Sequence, residues 1–394
     1  MNQEDVSVDK LIEEIHACLG DTEEIKAEQQ FAMKLPVRRR PPKKSAGKKA
    51  AAVAGKVALV AVETLLLVVV ALYGVMYILA KGPSPTARDL FVRSVRETSA
   101  IGFLANLYFS EEEIQQIVTG NGGVVDYEDM DTSLIEITKP TQGPDNEGPQ
   151  PDAWGLVDDD GDGIILEEVK GSTYSGYMMV VLDPSRVIMG SVPEEYGIKG
   201  YTVADMVERF GAVAGVNAGG FEDPNGQGNG SIPETMVVYE GKLYYEYSGT
   251  RNGFCGFDSQ NILHVGSFTA QDVRDKDIQY GVSFGPVLVV NGQIAGTASL
   301  NSGLNPRTAI GQRSDGAVLL LVIDGRQVTT LGASYMDLAE IFLSYGAVNA
   351  YNLDGGSSTM LWYRGEYVNN CSSVVGIRPV PTTFLVMPEG WNKK

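Results

Sequence analysis

An aspartate ends an apolar run and is followed at once by two glycines and three hydroxyls in Asn352-Leu353-Asp354-Gly355-Gly356-Ser357-Ser358-Thr359. Such a segment holds a charge, exposes bare backbone to a polar ligand and offers several hydrogen-bonding groups from one turn. Aspartate-glycine between apolar runs is also a leading hairpin signal, and residues 348–353 and 359–363 both read as strands. The local expectation is therefore a plain hairpin.

A second passage, roughly 135 residues upstream, repeats the pattern. Phe210-Gly211-Ala212-Val213-Ala214-Gly215-Val216-Asn217 aligns without gaps on Tyr345-Gly346-Ala347-Val348-Asn349-Ala350-Tyr351-Asn352, and glycine pairs follow at Gly219-Gly220 and Gly355-Gly356. Each copy is preceded by a capped helix pattern, Thr202 with Asp205 and Ser334 with Asp337. One helix-Gly-strand-Gly-Gly unit is thus used twice. Between the copies, Asn305-Pro306-Arg307-Thr308-Ala309-Ile310-Gly311 sets an arginine at a strand entry. Its planar fork suits phosphate or carboxylate, although a surface ion pair is the ordinary role of an arginine.

These residues need elements to hold them, and 394 residues suffice for more than one domain. A net charge of -19 argues against a general nucleic-acid binder. Charge is uneven, however: Lys34, Arg38, Arg39, Arg40, Lys43, Lys44, Lys48 and Lys49 precede an apolar run over residues 57–80, interrupted by Glu63. About 20 apolar residues match a bilayer core, so the run reads as one transmembrane helix. The basic flank places residues 1–55 in the cytoplasm and everything beyond residue 80 outside. About fifty polar residues ahead of the run make an ordinary signal peptide the poorer reading.

Beyond the membrane, residues 87–118 read as helix, with Ser110-Glu111-Glu112-Glu113 opening its second half, and residues 138–152 as a loop. Residues 81–153 are then a helical stalk and linker, and residues 154–390 an external domain. In that domain many short strands alternate with turn dipeptides such as Asp183-Pro184, Glu240-Gly241, Asn291-Gly292, Asp315-Gly316 and Asp324-Gly325. The fold class is α+β, with mixed, largely antiparallel sheets and flanking helices, preceded by the single transmembrane helix. Neither a dinucleotide fingerprint nor a P-loop is present. Leu11, Ile12 and Ile15 suggest a short amphipathic helix before the membrane. Cys18 is expected reduced, while Cys255 and Cys371, both outside, are able to pair. His16 and His264 are the only histidines, which directs acid-base chemistry toward carboxylates.

Asp158-Asp159-Asp160-Gly161-Asp162-Gly163 offers oxygen ligands from Asp158, Asp160 and Asp162 with glycine at the sixth place, as in a calcium loop. The twelfth place, which needs a bidentate glutamate, is Val169, and Glu167 and Glu168 are out of register. A structural calcium and an acidic surface turn are equal readings.

Taken together, Asn217-Ala218-Gly219-Gly220-Phe221, Gly285-Pro286-Val287-Leu288, the Arg307 segment and the Asp354 segment resemble the phosphodiester glycosidase family over residues 176–387. The resemblance implies hydrolysis of a sugar-1-phosphate diester, with no cofactor required for chemistry. It implies Asp354 as nucleophile or base and Arg307 as phosphate clamp. Asn217, Gly219, Gly220, Thr308, Gly355, Gly356, Ser357 and Ser358 would bind phosphate oxygens or sugar hydroxyls. Phosphate is a weakly basic leaving group, so stabilising its charge matters more than protonating it. Where many relatives have a second aromatic before Phe221, this chain has Gly220, and a third glycine of the aspartate turn is here Ser357. No second catalytic carboxylate is assigned. The expected partner is a cell-surface glycan or sugar-phosphate polymer, and the rival function is a non-catalytic glycan-binding or exopolysaccharide assembly factor on the same fold.

Overall fold

A computed structural model describes residues 44–98, 101–119, 130–138, 150–224, 228–246, 251–296, 300, 302–373 and 376–391. The expected amphipathic helix, His16, Cys18 and the basic residues from Lys34 to Lys43 lie outside the described residues. The chain divides into two compact units, Met1–Leu72 and Tyr73–Lys394. Helix α1 (Lys44–Lys81) contains Val53–Lys81, a stretch of 29 residues long and apolar enough to cross a membrane. Its leucines and valines are exposed rather than packed in a protein core.

The segment expected as one helix over residues 87–118 is three. Helix α2 (Pro85–Arg96) starts with Ser84 accepting the Ala87 amide and with proline in its first turn, where its missing N–H costs nothing. Helix α3 (Phe103–Asn106) is a single turn, and α4 (Glu111–Thr119) starts at Ser110, whose hydroxyl and amide exchange bonds with Glu113. Val92, Val95, Ala105, Tyr108, Phe109 and Ile114 form the small core they share. The break after α2 occurs where Glu97 and Thr98 turn toward a loop of the sheet domain.

The strands run β1 (Ile164–Lys170), β2 (Ser175–Val181), β3 (Val187–Ser191), β4 (Ala214–Asn217), β5 (Val237–Tyr239) and β6 (Lys242–Tyr244). They continue with β7 (Asn252–Asp258), β8 (Leu263–Phe268), β9 (Ile278–Ser283), β10 (Val287–Val290), β11 (Gln293–Ile294) and β12 (Arg307–Arg313). The last are β13 (Val318–Ile323), β14 (Ala347–Asn352), β15 (Leu361–Tyr363), β16 (Glu366–Tyr367) and β17 (Thr382–Val386). Three antiparallel sheets result: β1-β2-β13-β12-β14-β10-β11, then β16-β15-β4-β17-β3, then β6-β5-β9-β7-β8. Helices α5 (Val203–Phe210), α6 (Ala270–Asp275) and α7 (Tyr335–Ser344) flank them, giving the expected α+β class.

Both expected capping boxes are formed, Thr202 with Asp205 at α5 and Ser334 with Asp337 at α7. One core joins all three sheets, through Ile310 and Leu320 of the first, Val216 and Phe384 of the second, and Cys255 and Val282 of the third. The outer face of the first sheet carries Leu319 and Leu321 against Leu338 and Phe342 of α7. Burial on both faces explains why β13 is an unbroken apolar run rather than an alternating one.

The hairpin expected at Asp354 does not form. Strand β14 is already paired on both edges, with β12 and β10, so β15 has no edge of it to join and pairs with β4 in the second sheet. The Asp354 turn is therefore a crossover between sheets. Asp183-Pro184 is another, joining β2 of the first sheet to β3 of the second. Cys255, buried on β7, and Cys371, half-buried, are both free thiols. Accordingly, 5 mM-scale reductant should leave the thermal midpoint unchanged, as expected without a loop-closing disulfide. Alkylation after unfolding without reductant should label both cysteines; a linked Cys255–Cys371 peptide would contradict the arrangement.

Candidate active site

The two copies of the repeated unit end side by side. Strand β4 delivers Asn217 from the second sheet, and β14 delivers Asp354, two residues past its end, from the first. Asn217 is fully buried, and its Nδ2 donates to the Asp354 carbonyl at 2.5 Å. Its Oδ1 accepts from the Thr308 hydroxyl at 2.8 Å and from the Met360 amide at 3.1 Å. The Asp354 amide donates to the Ala218 carbonyl at 2.9 Å. Asn217, Thr308 and the Asp354 backbone are thus locked together, and the first two serve the turn rather than facing an open cleft.

The glycines are there for close approach. A side chain at Gly355 would come within 2.8 Å of the Pro306 carbonyl, and Gly356, at φ 59°, occupies the left-handed region. The Gly356 amide donates to the Pro306 carbonyl and the Gly219 amide to the Thr382 hydroxyl, so two of the four glycine amides expected to meet the ligand are engaged within the fold. Ser358 is buried and bonds the Asp354 carboxyl, while the Ser357 hydroxyl accepts from Arg378 at 3.2 Å.

Asp354 as a residue is half-buried, but its carboxyl is enclosed, and desolvation pushes its pKa up to about 7. The Ser358 hydroxyl, the Arg378 charge and the Gly355 amide oppose that rise, and Asp223 adds to it. Asp223 itself pairs with Arg378 at 2.6 Å; burial raises its carboxyl, but Arg378 and the Gly228 amide bring it below its ordinary value. Arg378 also lies over the Phe221 ring, 5.0 Å from its centroid.

Arg307 sits beside this turn but is only 5% exposed. Its Nε donates to the Ala333 carbonyl, its Nη2 to the Gly303 carbonyl and to Glu97, and its guanidinium stacks 4.1 Å from the Tyr335 ring centroid. The exposed cation at the turn is instead Arg326, which would meet a Gly356 Cβ at 3.2 Å. Partial enclosure and the Arg307 charge hold its guanidinium below the ordinary range, while Glu97 and Asp354 act in the opposite sense. Sequence reasoning missed Arg326 and Arg378. Arg326 follows the Asp324-Gly325 turn dipeptide, but no local pattern distinguishes either from an ordinary surface arginine.

Gly220 has a neighbour that the sequence did not indicate. A Cβ there would lie 3.0 Å from Phe284, an aromatic 38% exposed that follows β9, and 2.9 Å from Glu234. Asp158, Asp160 and Asp162 do converge, with carboxylate oxygens within 4.8 Å of one another. Arg364, however, pairs with Asp160 and Asp162, and Asp158 accepts the Gly161 and Gly163 amides. A guanidinium already pairs with two of the three carboxylates, which fits an acidic turn better than a calcium loop. Among the described residues, their hydrogen bonds do not reach the Asp354 turn.

Residues 210–387 match the family model described as phosphodiester glycosidase. This stretch belongs to that family. The phosphodiester glycosidase stretch includes Asn217, Arg307, Arg326, Asp354 and Arg378 and excludes Glu97. Over 221 residues the chain is 30% identical to the SPbeta prophage-derived uncharacterized protein YomE of Bacillus subtilis (strain 168), covering 53% of this chain and 32% of that protein. It is 27% identical over 228 residues to N-acetylglucosamine-1-phosphodiester alpha-N-acetylglucosaminidase of Mus musculus, covering 51% of this chain and 42% of the enzyme. The chain therefore spans less than half the length of these curated relatives. The catalytic domain of the zebrafish enzyme of that name, auto-inhibited by its pro-peptide, aligns with a TM-score of 0.49 at 20% identity, over 57% of this chain and 82% of that one.

The raised Asp354 carboxyl carries a stability signature. A carboxyl whose pKa is higher folded than unfolded binds its proton more tightly in the native state, so stability falls as pH rises from about 4 to about 7. Asp354→Asn should raise the thermal midpoint relative to wild type at pH 8, with the gain shrinking toward pH 4. Parallel midpoints across that range would show that the carboxyl is not held in this state.

Proposed function

We propose that this chain is a membrane-anchored extracellular hydrolase that cleaves the C1–oxygen bond of a sugar-1-phosphate diester in a cell-surface glycan or polymer. The observation that carries the reading is an enclosed carboxyl, Asp354, at a turn lined by cations in a phosphodiester glycosidase stretch. The family match supports the reaction class, and α1 together with the basic residues upstream supports an anchor with its N-terminus in the cytoplasm. The sheet domain, residues 154–390, is the unit that carries the chemistry.

In this reading the sugar sits over Gly220 with its ring against Phe284, and the phosphate meets Arg326. As the C1–oxygen bond breaks, positive charge develops at C1 and negative charge on the departing phosphomonoester. Ionised Asp354 stabilises C1 or activates the water that adds to it, and Arg326 stabilises the leaving phosphate. One water is consumed, and one free sugar and one phosphomonoester are released. A leaving group this weakly basic dispenses with a strong proton donor, which accounts for a site with a single enclosed carboxyl at its centre.

Incubation of the protein with sugar-1-phosphate diesters, followed by assay of free sugar, tests the reading. Asp354→Asn should lower kcat on the order of 10²–10⁴-fold with substrate binding retained, and Arg326→Ala should raise KM about tenfold or more. The wild-type rate should climb with pH through about 7 and level above it, because Asp354 acts ionised. A rate that falls above pH 7 would make Asp354 a proton donor instead. Clean polymer binding with no sugar released from any diester would make the protein a binder. For the sugar platform, Phe284→Ala should raise KM about 3–10-fold with little change in kcat; an unchanged KM removes Phe284 from the site.

A further inference from the structure

The last turn of α2 and the two residues after it are built into the candidate active site, although they lie outside the stretch that matches the family. Glu97 Oε1 accepts the Gly303 amide at 2.8 Å, and Oε2 accepts Asn305 Nδ2 at 2.9 Å and Arg307 Nη2 at 2.7 Å. Ser94 Oγ accepts the Leu304 amide at 2.9 Å. Contact is so close that a side chain at Gly303 would overlap the Ser94 backbone. Thr98 donates its hydroxyl proton to the Ser94 carbonyl, which turns a lone pair toward Arg326 Nη2 at 2.9 Å. The same Arg326 nitrogen donates to Asn305 Oδ1 at 3.0 Å.

We propose that Glu97 and Thr98 are positioning residues of the site, fixing loop residues 303–305 and the guanidinium groups of Arg307 and Arg326 so that Arg326 faces the phosphate. This rests on the reaction proposed above. Among the described residues, the side-chain partners of Glu97 lie on one short stretch, Gly303 to Arg307, and include a backbone amide and a side-chain amide beside the guanidinium. A carboxylate merely covering an anion site would not need them. Arg307 and Arg326 also repel one another; Glu97 pairs with Arg307 and, together with Asp354, offsets the repulsion at Arg326. Thr98 thus bonds Arg326, and the Arg326 guanidinium lies where a Cβ on Gly356, in the turn that carries Asp354, would meet it at 3.2 Å. The membrane-proximal helix is therefore part of the enzyme and more than a spacer.

Thr98→Val keeps shape and charge and removes the hydroxyl that accepts from Arg326 Nη2 and donates to the Ser94 carbonyl, leaving Asn305 Oδ1 as the remaining acceptor of that nitrogen. In the full chain in detergent micelles, it should weaken binding of inorganic phosphate, measured by calorimetry, about 3–10-fold. It should raise KM for a sugar-1-phosphate diester by a similar factor, with kcat within about twofold of wild type. Glu97→Gln, compared at equal folded fraction, should lower kcat/KM about tenfold or more, with Glu97→Asp recovering part of the loss. Phosphate affinity and KM unchanged in Thr98→Val, or a gain of activity in Glu97→Gln, would overturn the proposal; the latter would make Glu97 a cover over the site. If wild type releases no sugar, the proposed reaction fails while the phosphate titration of Thr98→Val still decides this inference. A wild-type protein that binds no phosphate overturns both.

Discussion

The side chain of Asn217 is the tie on which the site depends. It is completely buried, belongs to a strand of the second sheet, and bonds Thr308 of the first sheet, the Asp354 carbonyl and the Met360 amide. An amide is suited to this, because it donates and accepts at once without bringing a charge into the core. Leaving any of these groups unpaired would cost about 1–3 kcal/mol each, a large share of the net stability of a domain. The seam between the two sheets is thus held by polar bonds where the surrounding core is apolar, and the reactive turn sits on that seam.

Charge around the turn follows from what the seam allows. The Asp354 carbonyl is fixed by Asn217 and its amide by Ala218, so the carboxyl is directed by backbone bonds rather than by a strong counter-ion. That leaves the carboxyl enclosed but weakly compensated, the condition that raises a carboxyl pKa. The arginines are arranged accordingly. Arg378 is balanced by Asp223 and Arg307 by Glu97, while among the described residues the Arg326 side chain bonds the neutral oxygens of Thr98 and Asn305. An anion approaching the turn therefore meets Arg326 with the least competition.

Most of the fold was legible in the sequence because it rests on local physics. The capping boxes at Thr202 and Ser334, the run over β13 and the turn dipeptides that close β5 to β6 and β10 to β11 all form as their patterns predict. What failed was pairing. The Asp354 turn has hairpin chemistry, yet it leads from one sheet to another, as the turn at Asp183 also does, since the partner of a strand depends on which edges are already occupied. The single helix expected over residues 87–118 failed for a related reason: Glu97 and Thr98 bond groups some two hundred residues away, which periodicity does not register. In the site, Asn217, Thr308 and Asp354 were identified by motif and are brought together. Arg307, expected as the phosphate clamp, is buried, and the exposed guanidinium beside the turn is that of Arg326, because burial is a property of the fold and not of the residue type.

That exchange between Arg307 and Arg326 carries a wider consequence. A guanidinium only 5% exposed, stacked on Tyr335 and bonded to two carbonyls and a carboxylate, is a fixed part of the framework. Its charge still acts at short range, where it lowers the proton affinity of Arg326. Fixed charge costs no reorganisation when a reacting group arrives, whereas an exposed arginine must be ordered by what it binds. The arrangement sets the two residues apart: Arg307 supplies a fixed charge and anchors the loop, and Arg326 is exposed beside the turn. Glu97 is what makes the division stable, since without a carboxylate beside it the buried guanidinium would be an unpaired charge, a condition worth several kcal/mol of destabilisation on the order of 3–5 kcal/mol. A carboxylate that directly follows α2 thus holds Arg307 in the framework, while Arg326 stays exposed beside the turn.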